Sequence, residues 1–332
     1  MRAEASTPEA RTVREAPREE SRTVVLIALA GNLAIAVSKF IAASLTGSAA
    51  MASEGVHSLA DTANELLLLY GMRRARVPPD TRHPFGHGRE AYFWSFVVAL
   101  LIFALGAGVS FYQGWSRLKE PHPLGDLRPV YVVIAVAFVV EGISWLAALR
   151  RMRRCIGALG WYGAIRRSKD PSVFTVLLED SAALVGLLLA LAGTVLADVT
   201  GNSVYDACGS LAIAALLCLT SFVLARETKA LLIGEPAEQG LQDSILDIAS
   251  RDPDIAHANG VITVQLGPDQ VIATLSAEFQ DALCAPGIEA SVERLESAIK
   301  ACHPQIVALF IKPQTREVWS ERRAAVNPAT DD

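Results

Sequence analysis

Charged residues make up only 20% of this 332-residue chain, against 52% hydrophobic ones. So thin a charge excludes an ordinary water-facing surface over most of its length. The five cysteines (Cys155, Cys208, Cys218, Cys284, Cys302) contain no CxxC pair. That excludes a disulfide framework or a thiolate zinc knuckle, and they read as packing residues. The stretch MRAEASTPEARTVREAPREESR lacks an apolar core and carries five glutamates. Neither a signal peptide nor an acid-poor transit peptide is written there, and residues 1–22 are expected to be a disordered cytoplasmic extension. Basic excess is missing too: from residue 230 onward 16 acidic residues face 7 basic ones. No nucleic-acid partner is expected.

What is present is a series of six apolar stretches, at about 23–45, 49–72, 91–116, 127–149, 173–197 and 204–225. Each approaches the roughly 20 residues that cross a hydrocarbon core as a helix. The connections RRARVPPDTRHPFGHGR and RRMRRCIGALGWYGAIRRSK are basic, whereas LTGS and ADVTGNS contain no lysine or arginine. The positive-inside bias then places both termini in the cytoplasm, in a bacterial cytoplasmic membrane. The expected organisation is a six-helix membrane domain over 23–229, a soluble module over 230–315 and a disordered tail over 316–332. LQDSILDIASRD has helical spacing, VITVQLGPDQVIATLSAEF reads as two strands about a Gly-Pro turn, GIEASVERLESAIKACH is helical and IVALFIK is a strand. The result is a mainly α membrane protein with a C-terminal α-β-β-α-β module, ferredoxin-like and small enough to favour a partner.

One apolar stretch departs from the rest. EGVHSLADTANE carries Glu54, His57, Asp61, Asn64 and Glu65, and at 100° per residue these fall within roughly 100° of one another. An ionisable group at the bilayer centre costs about 2.5–3.5 kcal/mol or more, so such a stripe must face protein or water. His57 and Asp61, four residues apart, stack on one face as a chelating pair for a divalent metal. Glu179 and Asp180 in FTVLLEDSAALVG put acids in the fifth stretch as well. The competing reading is polar glue between helices, every group hydrogen-bonded. Ligands offered from two helices at similar depth favour a cation site. DTRHPFGHG adds Asp80, His83 and His87 within eight residues, either a metal site or a Pro/Gly turn with incidental histidines. His122, His257 and His303 are isolated and receive no role.

These features together resemble the cation diffusion facilitators, exporters of zinc and similar divalent metals. The likeness rests on the six stretches, HSLAD, HPFGHGRE and the C-terminal module. EGVHSLADTANELLLLYG, HPFGHGREAYFWSFVVALLIFALG and LLEDSAALVG are most similar to its zinc-transporter-nine-like branch. The resemblance implies a transport site with two ligands from the second span and two from the fifth, each pair spaced i, i+4. Its positions fall on His57, Asp61 and Asp180, but the fourth falls on Val176, a departure for which Glu179 or Glu54 is the obvious substitute. It also implies a cytoplasmic-loop site at Asp80, His83 and His87, and a homodimer joined through a C-terminal module that here carries no histidine at the expected ligand strands. The implied activity is zinc/proton antiport by alternating access, with no enzyme chemistry and no cofactor.

In that scheme Glu54, Asn64 and Glu65 line the cavity behind the ligands, and Glu141 in the fourth span carries protons or bonds a neighbour such as Asn32. Imidazole with carboxylates suits zinc first, with cobalt, iron or manganese as alternatives. The rival is a non-transporting membrane dimer partner or metal-binding regulator in which Val176 records a lost site. An intramembrane hydrolase has no nucleophile to support it.

Overall fold

The computed structural model describes residues 16–156 and 171–326. The expected basic connection between the fourth and fifth stretches lies largely outside them, as does the extension before Ala16. Six long helices lead the chain: α1 (Ala16–Thr46), α2 (Ala49–Ala75), α3 (Glu90–Lys119), α4 (Arg128–Ile156), α5 (Pro171–Thr200) and α6 (Val204–Ile233). Helix α3 is wound as a π-helix over Ile102–Ala107. The ends are set by local chemistry. Gly47 at φ 71° and Gly201 at φ 65° close α1 and α5 in the left-handed region that glycine enters without penalty. Ser48 then caps α2, its Oγ accepting from the Met51 N–H at 3.1 Å, and Asn202 caps α6 through the Val204 N–H at 3.0 Å. A second cap on α2 comes from α6: Asp206 accepts from Ser48 Oγ at 2.5 Å and from the Ala49 N–H at 2.6 Å.

Five of these helices are long and apolar enough to cross a bilayer; α2 is not among them. Five of the six expected spans meet that measure, and the polar stripe dilutes α2 below it. Apolar residues lie outward at helical spacing, Leu33, Val37, Ile41 and Leu45 on α1 and Val132, Val136, Val139 and Ile143 on α4. Buried positions meanwhile include Lys39, Glu54, His57, Asn64 and Glu179. That inversion is the pattern of a protein dissolved in lipid. The cysteine reading is corrected for four of the five: Cys208, Cys218, Cys284 and Cys302 are free and exposed rather than packed in a core, while the side chain of Cys155 lies outside those described.

The chain separates into two compact units. One comprises the described parts of Met1–Leu67, Val98–Arg151 and Val176–Val223, the other those of Leu68–Val97, Met152–Thr175 and Leu224–Asp332. The second unit holds α7 (Gln239–Ser250), β1 (Ile255–Gly267), β2 (Gln270–Phe279), α8 (Ala285–Cys302) and β3 (Ile306–Pro313), the expected α-β-β-α-β order. The sheet runs β1-β2-β3, antiparallel between the first pair and parallel between the second. Pro268 and Asp269 form the β1–β2 turn, inside the pair Gly267↔Gln270. Its core joins Ile245, Leu275, Leu295, Ile299 and Ile306.

Both expected disordered ends need correction. Helix α1 begins at Ala16 rather than after residue 22, since PREESR supplies helix formers with proline in the first turn. A ninth helix among the described residues, α9 (Arg316–Val326), occupies most of the expected tail. Thr315 starts it, its Oγ1 accepting from the Val318 N–H at 3.5 Å, and Trp319 packs on Gly260 of β1 where any side chain would collide.

Candidate cation-binding sites

The stripe on α2 faces inward as its spacing requires. His57 is 1% exposed, and its Nδ1 stands 3.2 Å from Asp61 Oδ1 one turn along. The two atoms are close without hydrogen-bond alignment, so both His57 ring nitrogens and Asp61 Oδ1 are buried with no hydrogen-bond partner. Orphaned polar atoms are rare in a settled core. An imidazole and a carboxylate are both donor types that divalent metals take.

Helix α5 brings its two acids to different neighbours. Asp180 Oδ2 accepts from Ser144 Oγ on α4 at 3.0 Å, whereas Glu179 Oε1 accepts from Asn64 Nδ2 on α2 at 3.0 Å. Consecutive helical residues point about 100° apart, which makes this split unavoidable. Asp180 and Asp61 line one cavity of about 50 Å³ with Asn32, Ser58, Glu141 and Ser144. Val176 and Glu179 are not in its wall.

A residue that sequence reasoning passed over joins the stripe to α1 and α4. Lys39, fully buried, donates to Glu54 Oε2 at 3.0 Å, Ser58 Oγ at 2.7 Å and Glu141 Oε1 at 2.8 Å. All three ammonium protons are thereby used. Asn32, the neighbour suggested for Glu141 as one alternative, donates instead to Glu65 Oε2 at 3.3 Å. The available signal was the lysine in NLAIAVSKFIAAS, a lone cation inside an apolar run.

In the second unit, Asp80, His83 and His87 come together as the one group of three metal-type donors within 4.8 Å of one another among the described residues. The His57, Asp61, Asp180 and Glu179 set does not close to that distance. Asp80 Oδ1 accepts from the N–H groups of Arg82 at 2.8 Å and His83 at 2.7 Å, and Gly86 at φ 86° turns the chain so that His87 reaches back. His87 Nε2 lies 3.6 Å from Asp80 Oδ2, and the imidazole rings of His83 and His87 are 4.2 Å apart. The backbone bond from His83 holds the Asp80 carboxyl below the usual carboxylate range. His87 Nδ1 is buried with no partner. The loop rests against the β1–β2 hairpin through Gly88 and Gly267, each placed where a side chain would meet the other's backbone or Gln270.

Residues 25–233 match the cation efflux transmembrane domain. The chain belongs to the cation efflux family. It is therefore an integral membrane protein of a transporter family rather than an enzyme family. Among its relatives is the mitochondrial proton-coupled zinc antiporter SLC30A9 of Mus musculus, 35% identical over 259 residues, 77% of this chain and 46% of the relative. The human protein of that name is 35% identical over 77% of this chain and 45% of its own length. Metal tolerance protein C4 of Arabidopsis thaliana is 33% identical over 70% and 52%. The chain spans about half the length of these curated relatives. The relationship upholds the resemblance to the zinc-transporter-nine-like branch. It overturns the expected setting in a bacterial cytoplasmic membrane, since the most similar of these relatives are named as mitochondrial proteins.

Proposed function

We propose that this protein is a divalent metal exporter, a zinc/proton antiporter working by alternating access, with α2 counted as a sixth membrane span. The observation that carries the reading is His57: an imidazole sealed from water, with neither nitrogen hydrogen-bonded and a carboxylate oxygen 3.2 Å away. A metal ligand must be deprotonated to bind. Zinc arriving at His57, Asp61 and Asp180 displaces protons, and protons arriving from the other side displace zinc. The carboxylates supply the negative charge that offsets the ion's lost hydration, and Asn64 holds Glu179 beside them. The zinc antiporters among the relatives, by their printed names, support both cargo and coupling. Cobalt, iron and manganese are the competing cargoes.

Asp80, His83 and His87 form a loop site for a second metal ion, supported by their convergence within 4.8 Å. The C-terminal module is the homodimer contact in this reading, with 23–229 as the transport domain and 230–315 as the dimerisation domain. A second reading, a metal-binding regulator that does not transport, is favoured by one observation: the loop donors converge and the α2–α5 donors do not.

Proteoliposome flux separates the two. The full chain should move zinc against an imposed proton gradient, and His57→Ala or Asp61→Ala should abolish that movement. Zinc binding without flux in the parent protein would establish the regulator instead.

A further inference from the structure

The cavity shared by Asp61 and Asp180 has a third carboxylate in its wall. Glu141 enters it from α4, one turn of helix before the Ser144 that holds Asp180. Its Oε1 is taken by Lys39 at 2.8 Å, while its Oε2 is buried and has no hydrogen-bond partner. The remaining wall is Asn32, Ile35, Ser58, Val140 and Ala183. About 50 Å³ has room for an ion with a few accompanying waters, since roughly 10–15 Å³ of such space already admits one water. Beside it, His57 Nδ1 lies 3.2 Å from Asp61 Oδ1, and Asp61 is itself part of the wall.

We propose that Glu141 supplies the ligand that Val176 lacks, so that the transport site draws on α2, α4 and α5, with Lys39 as the positioning residue that holds Glu141. This rests on the reading of His57, Asp61 and Asp180 as the transport site. Glu179, the substitute suggested by its place in the sequence, has its Oε1 held by Asn64 at 3.0 Å, whereas Oε2 of Glu141 has no hydrogen-bond partner. Lys39 fixes one Glu141 oxygen and leaves the other for the ion, as partners behind a metal ligand commonly do. A single ammonium shared between Glu54 and Glu141 balances one acid and leaves the other's charge for the cargo. One imidazole and three carboxylates form a harder donor set than two imidazoles would, which brings manganese and iron closer to zinc in affinity.

The test is zinc uptake by the full chain in proteoliposomes, comparing Glu141→Gln, Glu179→Gln and His57→Ala, with thermal unfolding of each purified variant. Glutamine at 141 still accepts from Lys39, and Lys39 still pairs with Glu54, so no buried charge is orphaned. The expected result is a zinc KM raised at least about tenfold in Glu141→Gln, the scale on which even groups behind a ligand act. Its melting temperature should be near that of the parent, with a smaller KM rise in Glu179→Gln. An unchanged KM in Glu141→Gln while His57→Ala is inactive would overturn the role of Glu141 and leave the site reading standing. A larger effect from Glu179→Gln than from Glu141→Gln would also overturn it. Parent-like transport by His57→Ala would remove the site reading and the proposal with it. If Glu141→Gln melts early, Glu141→Asp decides: a raised KM at unchanged stability supports the proposal, and an unchanged KM overturns it.

Discussion

The Glu54 carboxylate occupies the space that a side chain at residue 186 would need, so α2 and α5 meet there through Gly186. A methyl group at that position must displace Oε1 of Glu54, whose other oxygen is held by Lys39. Gly186→Ala should therefore destabilise the protein by about 1–3 kcal/mol, the ordinary cost of overpacking a full core. Thermal unfolding of the purified variant checks this, and a parent-like melting temperature would count against so tight a fit. Gly31, with nothing near its missing side chain, is the matched control.

Removing Lys39 should do more damage than removing either acid alone. Lys39→Met leaves the buried Glu54 and Glu141 carboxylates facing each other without their cation. Breaking a buried pair from one side costs about 3–5 kcal/mol, whereas replacing all its members together is often neutral. A triple variant, Lys39→Met with Glu54→Gln and Glu141→Gln, should recover most of the lost stability without recovering transport. Chemical denaturation of the single and triple variants, read beside flux, measures both halves.

The contribution of Asp80 to zinc held at the loop should not change on mild acidification. The bond from the His83 backbone keeps the Asp80 carboxyl below its usual range. A depressed carboxyl contributes order that is present above its unfolded value and is lost only as pH falls through the lower folded one. Between about neutral pH and about pH 5 Asp80 thus stays charged. Asp80→Asn should weaken zinc binding by the same factor across that window, and His83→Ala with His87→Ala should lower the bound zinc by one ion per chain. Equilibrium dialysis at several pH values gives both quantities; an Asp80→Asn effect that grows or shrinks across the window would contradict the assignment.

Much of this arrangement was legible in the sequence, and each part that was not has its own physical reason. The stripe on α2 could be read because helical spacing is local: His57 and Asp61 share a face by virtue of being four apart. The loop donors were readable for the same reason, all lying within eight residues. The helical stretches were found by length and apolarity, although a fixed bilayer width truncated α5 and α6, which run on to Thr200 and Ile233. Helix α9 was lost because REVWSERRAAV is as polar as a tail; only Thr315 marked its start. The pairing of Lys39 with Glu141 joins residues far apart in sequence, and no periodicity encodes a contact between α1 and α4. What stands where Val176 offers nothing is a matter of which third helix lies nearest, a question only packing answers.

Asp206 gives α2 a fixed end. Its carboxylate belongs to α6 but serves the first backbone N–H groups of α2 and the hydroxyl of Ser48. A negative charge at that end also suits the helix dipole. Any movement of α2 that keeps those bonds is a swing about its first turn, with displacement growing along the helix. His57 and Asp61, two and three turns from this pivot, would travel less than the segment leading into the Asp80 loop. A small angular change of α2 would thus move His57 and Asp61 less than the residues at its far end.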